Sequence, residues 1–249
     1  EADLVLSDVL GLQEESLGER HPNTLTTIHN LALVKQATGD LENAELLLQR
    51  EVRLRSQDNP YSLGARTSLS GLAFFYLNQG KFAEAIPYYE QAAVAYQKAT
   101  HEESNAVIAL TMLGLCRNKI GEHEQAKTNL LTAERICDET LQDHWLQYVV
   151  SSLLGEVNLE LGDRIGAEDK LLTGYDGLKV HEHELPTRWK PLGLRAATRR
   201  LVQFYESSGD AEQRSRAEQY RAELEALRSA NPLSNANGQI RNVEDGNSN

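Results

Sequence analysis

GEHEQA, at residues 121–126, is one of four near-copies of a short phrase in this chain. The other three copies are GDLENA (39–44), GKFAEA (80–85) and GDRIGA (162–167). Their leading glycines are separated by 41 residues in every case (80 − 39, 121 − 80 and 162 − 121). Repetition at a fixed period of this length is the signature of an array in which each unit packs on its neighbours. The fold is therefore predicted to be a tandem repeat.

Each copy is flanked by small residues at fixed positions. Seven residues before each glycine, a small residue follows a leucine, as in Leu31-Ala32, Leu72-Ala73, Leu113-Gly114 and Leu154-Gly155. A second small residue ends each copy, at Ala44, Ala85, Ala126 and Ala167. Small side chains let two helices approach closely, and a glycine accepts the backbone conformation that ends a helix. Apolar residues recur at helical spacing on both sides, so each repeat is predicted to be a helix–turn–helix unit.

The same register predicts how the chain is organised. Residues 1–182 are predicted to hold the second helix of one repeat (2–17), whose first helix lies upstream, and four full pairs at about 23–57, 61–100, 103–141 and 144–182. Residues 183–228 are predicted to form a divergent capping pair that begins near residue 188, with a charged last helix shielding the open end of the array. Residues 229–249 contain six Asn and little apolar mass, and they are predicted to be disordered.

These residues resemble a known family. Leu with Gly or Ala, then a turn Gly, then Ala matches the tetratricopeptide consensus, and the 41-residue period is similar to the long repeats of kinesin light chains. LGERHPNTL (17–25) is similar to the inter-repeat signature of that variant. The resemblance implies an all-α, superhelical solenoid of about eleven helices that binds other proteins.

A second resemblance concerns the C-terminal part of the chain. LLTGYDGLK (171–179) and RRLVQFYE (199–206) look like the closing segment of bacterial serine/threonine protein kinases that carry C-terminal repeat arrays. This resemblance implies a kinase domain upstream of the chain, and other parts of that polypeptide as possible partners.

Composition and motifs restrict the function classes. The net charge of −12 disfavours nucleic acid and anionic membrane as partners, and no apolar run approaches the roughly 20 residues of a membrane span. Phosphate-binding glycine loops and kinase catalytic signatures are absent from the sequence, and His181 and His183 lack the spacing of a zinc motif. Cys116 and Cys137 lie in apolar helical patterns, where packing is favoured over a disulfide or metal site. We expect a cytoplasmic protein that is not an enzyme and has no cofactor or metal.

The expected binding surface is the concave face that first helices line in such arrays. Its positions predict a groove with an apolar centre and hydroxyls beside it, formed by Leu33, Ser70, Phe74, Leu77, Ile108, Thr111, Leu115 and Val149. For Phe74 and Leu77 an alternative is that adjacent first helices bury them against each other. A peptide or protein is the expected occupant, because exposed apolar patches usually mark interaction sites.

A second candidate surface is basic. Between Pro186 and Gln203 there are five cationic side chains and no acidic one: Arg188, Lys190, Arg195, Arg199 and Arg200. They predict either a soluble helix that pairs with acidic neighbours or a docking patch for an acidic segment. The function predicted from the sequence is a protein-binding scaffold; the alternative is a self-associating array whose groove is filled by another copy.

Overall fold

Eleven α-helices make up the part of the chain that a computed structural model describes, namely residues 2–57, 59–208 and 210–230 without the side chains of Arg188 and Ala230. No β-strand occurs within those ranges, so the all-α prediction is confirmed. The helices are α1 (Ala2–Leu17), α2 (Pro22–Thr38), α3 (Leu41–Ser56), α4 (Leu63–Asn78), α5 (Phe82–Gln97), α6 (Glu103–Lys119), α7 (His123–Thr140), α8 (Trp145–Glu160), α9 (Arg164–His181), α10 (Leu194–Glu206) and α11 (Ala211–Ala230). The predicted disordered tail lies almost entirely outside the described residues.

The chain divides into two compact units, which are described separately. Unit 1 is Glu1–Glu102 and holds α1 to α5, and unit 2 is Glu103–Asn249 and holds α6 to α11. Within each unit a helix packs mainly on the helices that precede and follow it in sequence. This neighbour-on-neighbour packing is what a helical repeat array requires.

The predicted start of the last helix pair is wrong. Two short 3₁₀ segments, Glu182–Glu184 and Thr187–Leu192, follow α9, and α10 begins only at Leu194. Pro186 precedes the second segment and Pro191 lies inside it. A proline cannot donate a backbone hydrogen bond and disfavours helix in the residue before it, so α-helix is delayed until both prolines have passed.

The repeated glycine closes the first helix of each repeat. The φ angle of this glycine lies between 72° and 85° in all four repeats, at Gly39, Gly80, Gly121 and Gly162. Residues that have a Cβ atom rarely adopt such a backbone conformation. After α4, the Gly80 amide donates to the Leu77 carbonyl (2.9 Å) and the Lys81 amide to the Tyr76 carbonyl (3.0 Å). The same pair of bonds recurs after α2, α6 and α8, so all four turns end in a Schellman-type cap.

The small residues lie where the two helices of a repeat meet, as predicted. Ala44, Ala85, Ala126 and Ala167 are all 0% exposed. A Cβ built on Gly155 of α8 would lie 2.5 Å from Cγ of Leu171 in α9. The pair α8–α9 is also closely packed near Gly174, whose Cβ would lie 2.6 Å from the backbone nitrogen of Ser152. Glycine and alanine therefore set the helix spacing.

Both units bury an apolar core. In unit 1, Leu10, Leu25, Ile28, Leu31 and Leu54 form one cluster. In unit 2, Cys116 and Cys137 are free thiols that are 0% exposed, and burial raises the pKa of each to about 12. They are packed as small apolar side chains.

None of the described helices is both long enough and apolar enough to cross a membrane.

We expect Gly174→Ala to lower the free energy of unfolding by about 1–2 kcal/mol, because the new methyl group meets α8 backbone rather than a movable side chain. Urea unfolding followed by circular dichroism measures this. Gly11→Ala in α1 is the matched control, since its Cβ would meet nothing within 4 Å and alanine favours helix. Equal stability of the two variants would contradict the close α8–α9 approach.

Candidate functional site

The predicted groove residues of unit 1 fall into two groups. Leu33 on α2 is 48% exposed, and Phe74 and Ser70 on α4 are partly exposed. Leu77, in contrast, is 0% exposed, as part of a last turn of α4 in which Phe75 and Tyr76 are also buried. Leu77 is therefore not accessible to a ligand at the predicted groove.

In unit 2 the predicted groove is largely closed. Thr111, Leu115 and Val149 are each 1% exposed, and only Ile108 is partly exposed. The first helices α6 and α8 contact one another, and both also contact the second helix α7. The Thr111 hydroxyl is also used within its own helix, where it donates to the Val107 carbonyl at 2.6 Å. These three residues cannot contact a ligand without a rearrangement of the unit.

The residues of the predicted basic patch differ in how exposed they are and in what they contact. The side chain of Arg188 lies outside the described part of the chain, and Lys190 is exposed. Arg195 is partly buried, and its Nε atom is shielded from solvent without a hydrogen-bond partner. Arg199 and Arg200, adjacent on α10, are the two that line a pocket.

That pocket lies on the first helices of unit 2 and is open to solvent, with a volume of about 350 Å³ including its mouth. Three cationic side chains and one carboxylate dominate its lining, which consists of Lys119, Glu156, Leu192, Ala196, Arg199, Arg200 and Gln203. The contributing elements are the end of α6, the middle of α8, the second 3₁₀ segment and α10. Three parts of the chain that are distant in sequence, at residues 119, 156 and 192–203, therefore meet here.

Glu156 is the centre of the polar contacts. Arg200 Nε lies 2.5 Å from its Oε2, Lys119 Nζ lies 3.1 Å from its Oε1, and Asn118 Nδ2 donates to the same Oε1 at 3.3 Å. The exposed fractions of the three charged side chains are 10% for Arg200, 31% for Lys119 and 18% for Glu156. Burial raises the pKa of Glu156, but the attraction of Arg200 and Lys119 outweighs it and lowers the pKa to about 2. Glu156 is thus a carboxylate at any physiological pH.

Two further contacts hold this arrangement in place. Arg200 Nη1 donates to Oγ of Ser152, which is 0% exposed, at 3.2 Å. Asn118 Oδ1 lies 2.7 Å from Nδ1 of His123 at the start of α7. Arg200 is therefore fixed on two sides, and its orientation does not depend on a ligand.

Sequence reasoning did not find this pocket as a unit. Glu156 stands 41 residues after Leu115, at the repeat position where earlier repeats carry Leu33, Phe74 and Leu115, and the sequence analysis assigned Arg199 and Arg200 only to a basic patch. One sequence feature could have indicated the pocket: Glu156 is an acidic residue at an otherwise apolar repeat position. A buried carboxylate is unfavourable unless a cation pairs with it, so such a residue predicts a cationic partner. Lys119 was missed, because one lysine at a helix end has no distinguishing pattern.

His181 and His183, which the sequence analysis considered as metal ligands, differ in their surroundings, and His181 is buried at the end of α9. This side chain is 8% exposed, stacks on Tyr148 with ring centres 5.3 Å apart, and has Nε2 at 3.1 Å from Oδ1 of Asp143. His183 is 77% exposed. No group of three or more His, Cys, Asp or Glu side chains that could hold a metal ion occurs among the described residues.

Family models agree with the helix–turn–helix repeat. Two models described as tetratricopeptide repeat match the chain, one over residues 64–139 and one over residues 24–56. Among curated proteins, human "Tetratricopeptide repeat protein 19, mitochondrial" is 30% identical over 92 residues. That match covers 37% of this chain and only 24% of the relative.

Solved structures of similar fold cover most of the chain. A putative kinesin light chain with nearly identical repeats from Podosopora anserina has a TM-score of 0.61 at 21% identity, over 86% of this chain and 99% of that one. BtubC (BKLC) from P. vanneervenii has a TM-score of 0.67 at 18% identity, over 93% and 90%. The apo form of RapI has a TM-score of 0.67 at 11% identity, over 90% and 76%. At these identities the likeness concerns the fold.

Proposed function

We propose that this chain, a tetratricopeptide repeat array similar in fold to kinesin light chain repeats, is a scaffold that binds a peptide or another protein along its first helices. The observation that carries the proposal is in unit 1. Leu33 and Phe74 occupy corresponding positions, 41 residues apart, on α2 and α4. Leu33 is exposed and Phe74 is partly exposed, whereas the two residues before each of them are buried. Accessible apolar side chains repeated on successive helices suit an apolar ligand side chain.

The polar surroundings of these two residues support a peptide rather than a small apolar molecule. Ser70 is partly exposed one helical turn before Phe74, and His29 is partly exposed one turn before Leu33. Each can exchange hydrogen bonds with a peptide backbone beside the apolar contacts. His29 Nδ1 lies 2.9 Å from the buried carboxylate of Glu51, and this hydrogen bond raises the pKa of His29.

Phe74→Ala is expected to weaken a bound peptide about ten-fold, since losing one apolar contact of this size costs roughly 1–3 kcal/mol of binding. A peptide selected from a random display library on the wild-type chain, labelled with a fluorophore, serves as the probe in anisotropy titrations. Helix content measured by circular dichroism should stay unchanged, because Phe74 is only partly buried.

Glu84→Ala, on the exposed surface of α5, is the control and should leave the affinity unchanged. If neither Phe74→Ala nor Leu33→Ala changed the affinity of the selected peptides, the unit 1 surface would not be the binding site. The alternative of a self-associating array is tested separately by sedimentation velocity, where a rise in mass with concentration that Phe74→Ala removes would favour it.

We also propose that the scaffold works in the cytoplasm as the recruiting part of a larger polypeptide, with a bacterial serine/threonine kinase as the parent. The support is the resemblance of residues 171–179 and 199–206 to the closing segment of such kinases. Sequencing the gene upstream of Glu1 tests this: a reading frame without a kinase catalytic loop there would exclude that parent.

A further inference from the structure

His181, the last residue of α9, lies between two carboxylates. Its Nε2 is 3.1 Å from Oδ1 of Asp143, in the connection between α7 and α8. Its Nδ1 is 3.1 Å from Oε1 of Glu184, in the first 3₁₀ segment. The imidazole is only 8% exposed and stacks on the ring of Tyr148. A buried imidazole therefore joins the connection that precedes α8 to the segment that follows α9.

The imidazole can donate to both carboxylates in only one protonation state. Protonated histidine has an N–H on each ring nitrogen, whereas neutral histidine has one N–H and one lone pair. Because a carboxylate only accepts, neutral His181 must direct a lone pair at either Glu184 or Asp143. The contacts with Glu184 and Asp143 therefore favour the bound proton and raise the pKa of His181, although burial opposes them.

Glu184 is the carboxylate that a neutral His181 would release. The bond between His181 Nε2 and Asp143 Oδ1 has hydrogen-bond geometry, and the Tyr148 hydroxyl donates to the same oxygen at 2.8 Å. The Nδ1 contact with Glu184 is short enough for an ion pair but is not aligned as a hydrogen bond. The single N–H of neutral His181 is therefore better placed on Nε2, facing Asp143, which leaves Glu184 opposite a lone pair.

The segment that follows Glu184 leads to α10 and is held by apolar contacts. Leu185 is 4% exposed and Trp189 is 5% exposed. The Trp189 ring lies 6.1 Å, centre to centre, from the ring of Trp145, the first residue of α8. Leu192, at the end of the segment, lines the pocket beside Glu156. A change at Glu184 is therefore next in sequence to contacts that fix the segment on unit 2.

We propose that His181 is a pH switch for residues 182–192. Protonated His181 holds Glu184 and fixes this segment on α8; loss of the proton frees Glu184 and loosens the segment. A histidine whose pKa is raised on folding contributes stability that is complete below its ordinary pKa of 6.5 and is lost as the pH rises through the higher folded value. The segment is thus more firmly held at pH 6 than at pH 9. This inference is independent of the proposed scaffold function.

Two other histidines lie close to the switch. His144 accepts the Leu146 amide through Nδ1 at 3.2 Å and so caps α8, and burial lowers the pKa of His144. Its protonation would remove the cap, so this group acts below pH 6.5 and loosens the region on acidification, which is the opposite sign. His183 is 77% exposed, and its Nε2 lies 3.7 Å from Oε1 of Glu184.

Acrylamide quenching of tryptophan fluorescence tests the switch, because the two tryptophans of the chain are Trp145 and Trp189. The Stern–Volmer constant of the full chain should rise about two-fold between pH 6 and pH 9, with a midpoint above pH 6.5, as the segment opens locally. Helix content measured by circular dichroism should stay unchanged over the same range. A constant Stern–Volmer value would overturn the proposal.

Glu184→Gln should remove the pH dependence, because an amide offers a donor or an acceptor to Nδ1 in either protonation state. His183→Gln, which changes an exposed neighbour, is the matched control and should keep the wild-type dependence. His144→Asn retains a capping side chain and should keep it too. If Glu184→Gln behaved as wild type, or if His183→Gln or His144→Asn abolished the dependence, the contact between His181 and Glu184 would not be the switch.

Discussion

Ala126→Arg should lower the free energy of unfolding of unit 2 by about 4 kcal/mol, a large part of the roughly 5–15 kcal/mol that stabilises an ordinary domain. Ala126 on α7 is 0% exposed, and its carbonyl oxygen lies 3.3 Å from where a Cβ on Gly114 of α6 would be. The two helices therefore leave no room for a longer side chain. An arginine there would bury a guanidinium without a partner, or force α6 and α7 apart. Urea unfolding followed by circular dichroism measures the loss.

Thr128→Arg, two residues away on the exposed side of α7, introduces the same side chain and should change stability by less than about 0.5 kcal/mol. Ala73→Arg on α4 repeats the test in unit 1, since Ala73 is also 0% exposed. If neither Ala126→Arg nor Ala73→Arg moved the unfolding midpoint, the assignment of these alanines to the helix–helix contact would fail.

The sequence predicted the repeat because the features that define it are local. A turn glycine with positive φ, and a small residue where two helices cross, act within one repeat of 41 residues. Both follow from steric rules that hold wherever the motif occurs. The positions of Gly39, Gly80, Gly121 and Gly162 are therefore sufficient to locate the ends of four first helices.

The accessible surface could not be predicted in the same way. Leu33 and Leu115 occupy the same repeat position, yet one is 48% exposed and the other 1%. Exposure depends on how closely neighbouring first helices approach, which is a property of the packed unit rather than of one repeat. The Glu156 pocket is non-local for the same reason: Lys119 is 37 residues and Arg200 is 44 residues from Glu156. No local pattern could indicate that they meet.

Arg200→Ala is expected to destabilise unit 2 by about 2–3 kcal/mol, because it leaves the carboxylate of Glu156 largely buried with a weaker set of partners. Breaking a fully buried ion pair from one side costs roughly 3–5 kcal/mol. The loss should be smaller here, since Lys119 and Asn118 still contact Glu156 and this side chain is 18% exposed. The double variant Glu156→Gln with Arg200→Gln should recover most of the lost stability, because no buried charge then remains unpaired.

The pH dependence of that loss distinguishes an unpaired charge from lost packing. In the folded wild type, burial alone would raise the pKa of Glu156. The attraction of Arg200 and Lys119 is larger, and it lowers this pKa from 4.5 to about 2. The stabilisation that this shift contributes is present above the ordinary carboxyl pKa and is lost as the pH falls from about 4.5 toward 2. The stability gap between wild type and Arg200→Ala, measured by urea unfolding at pH 7 and at pH 3, should therefore narrow at the lower pH. A gap of equal size at both pH values would mean that Arg200 stabilises unit 2 through its apolar stem on α10.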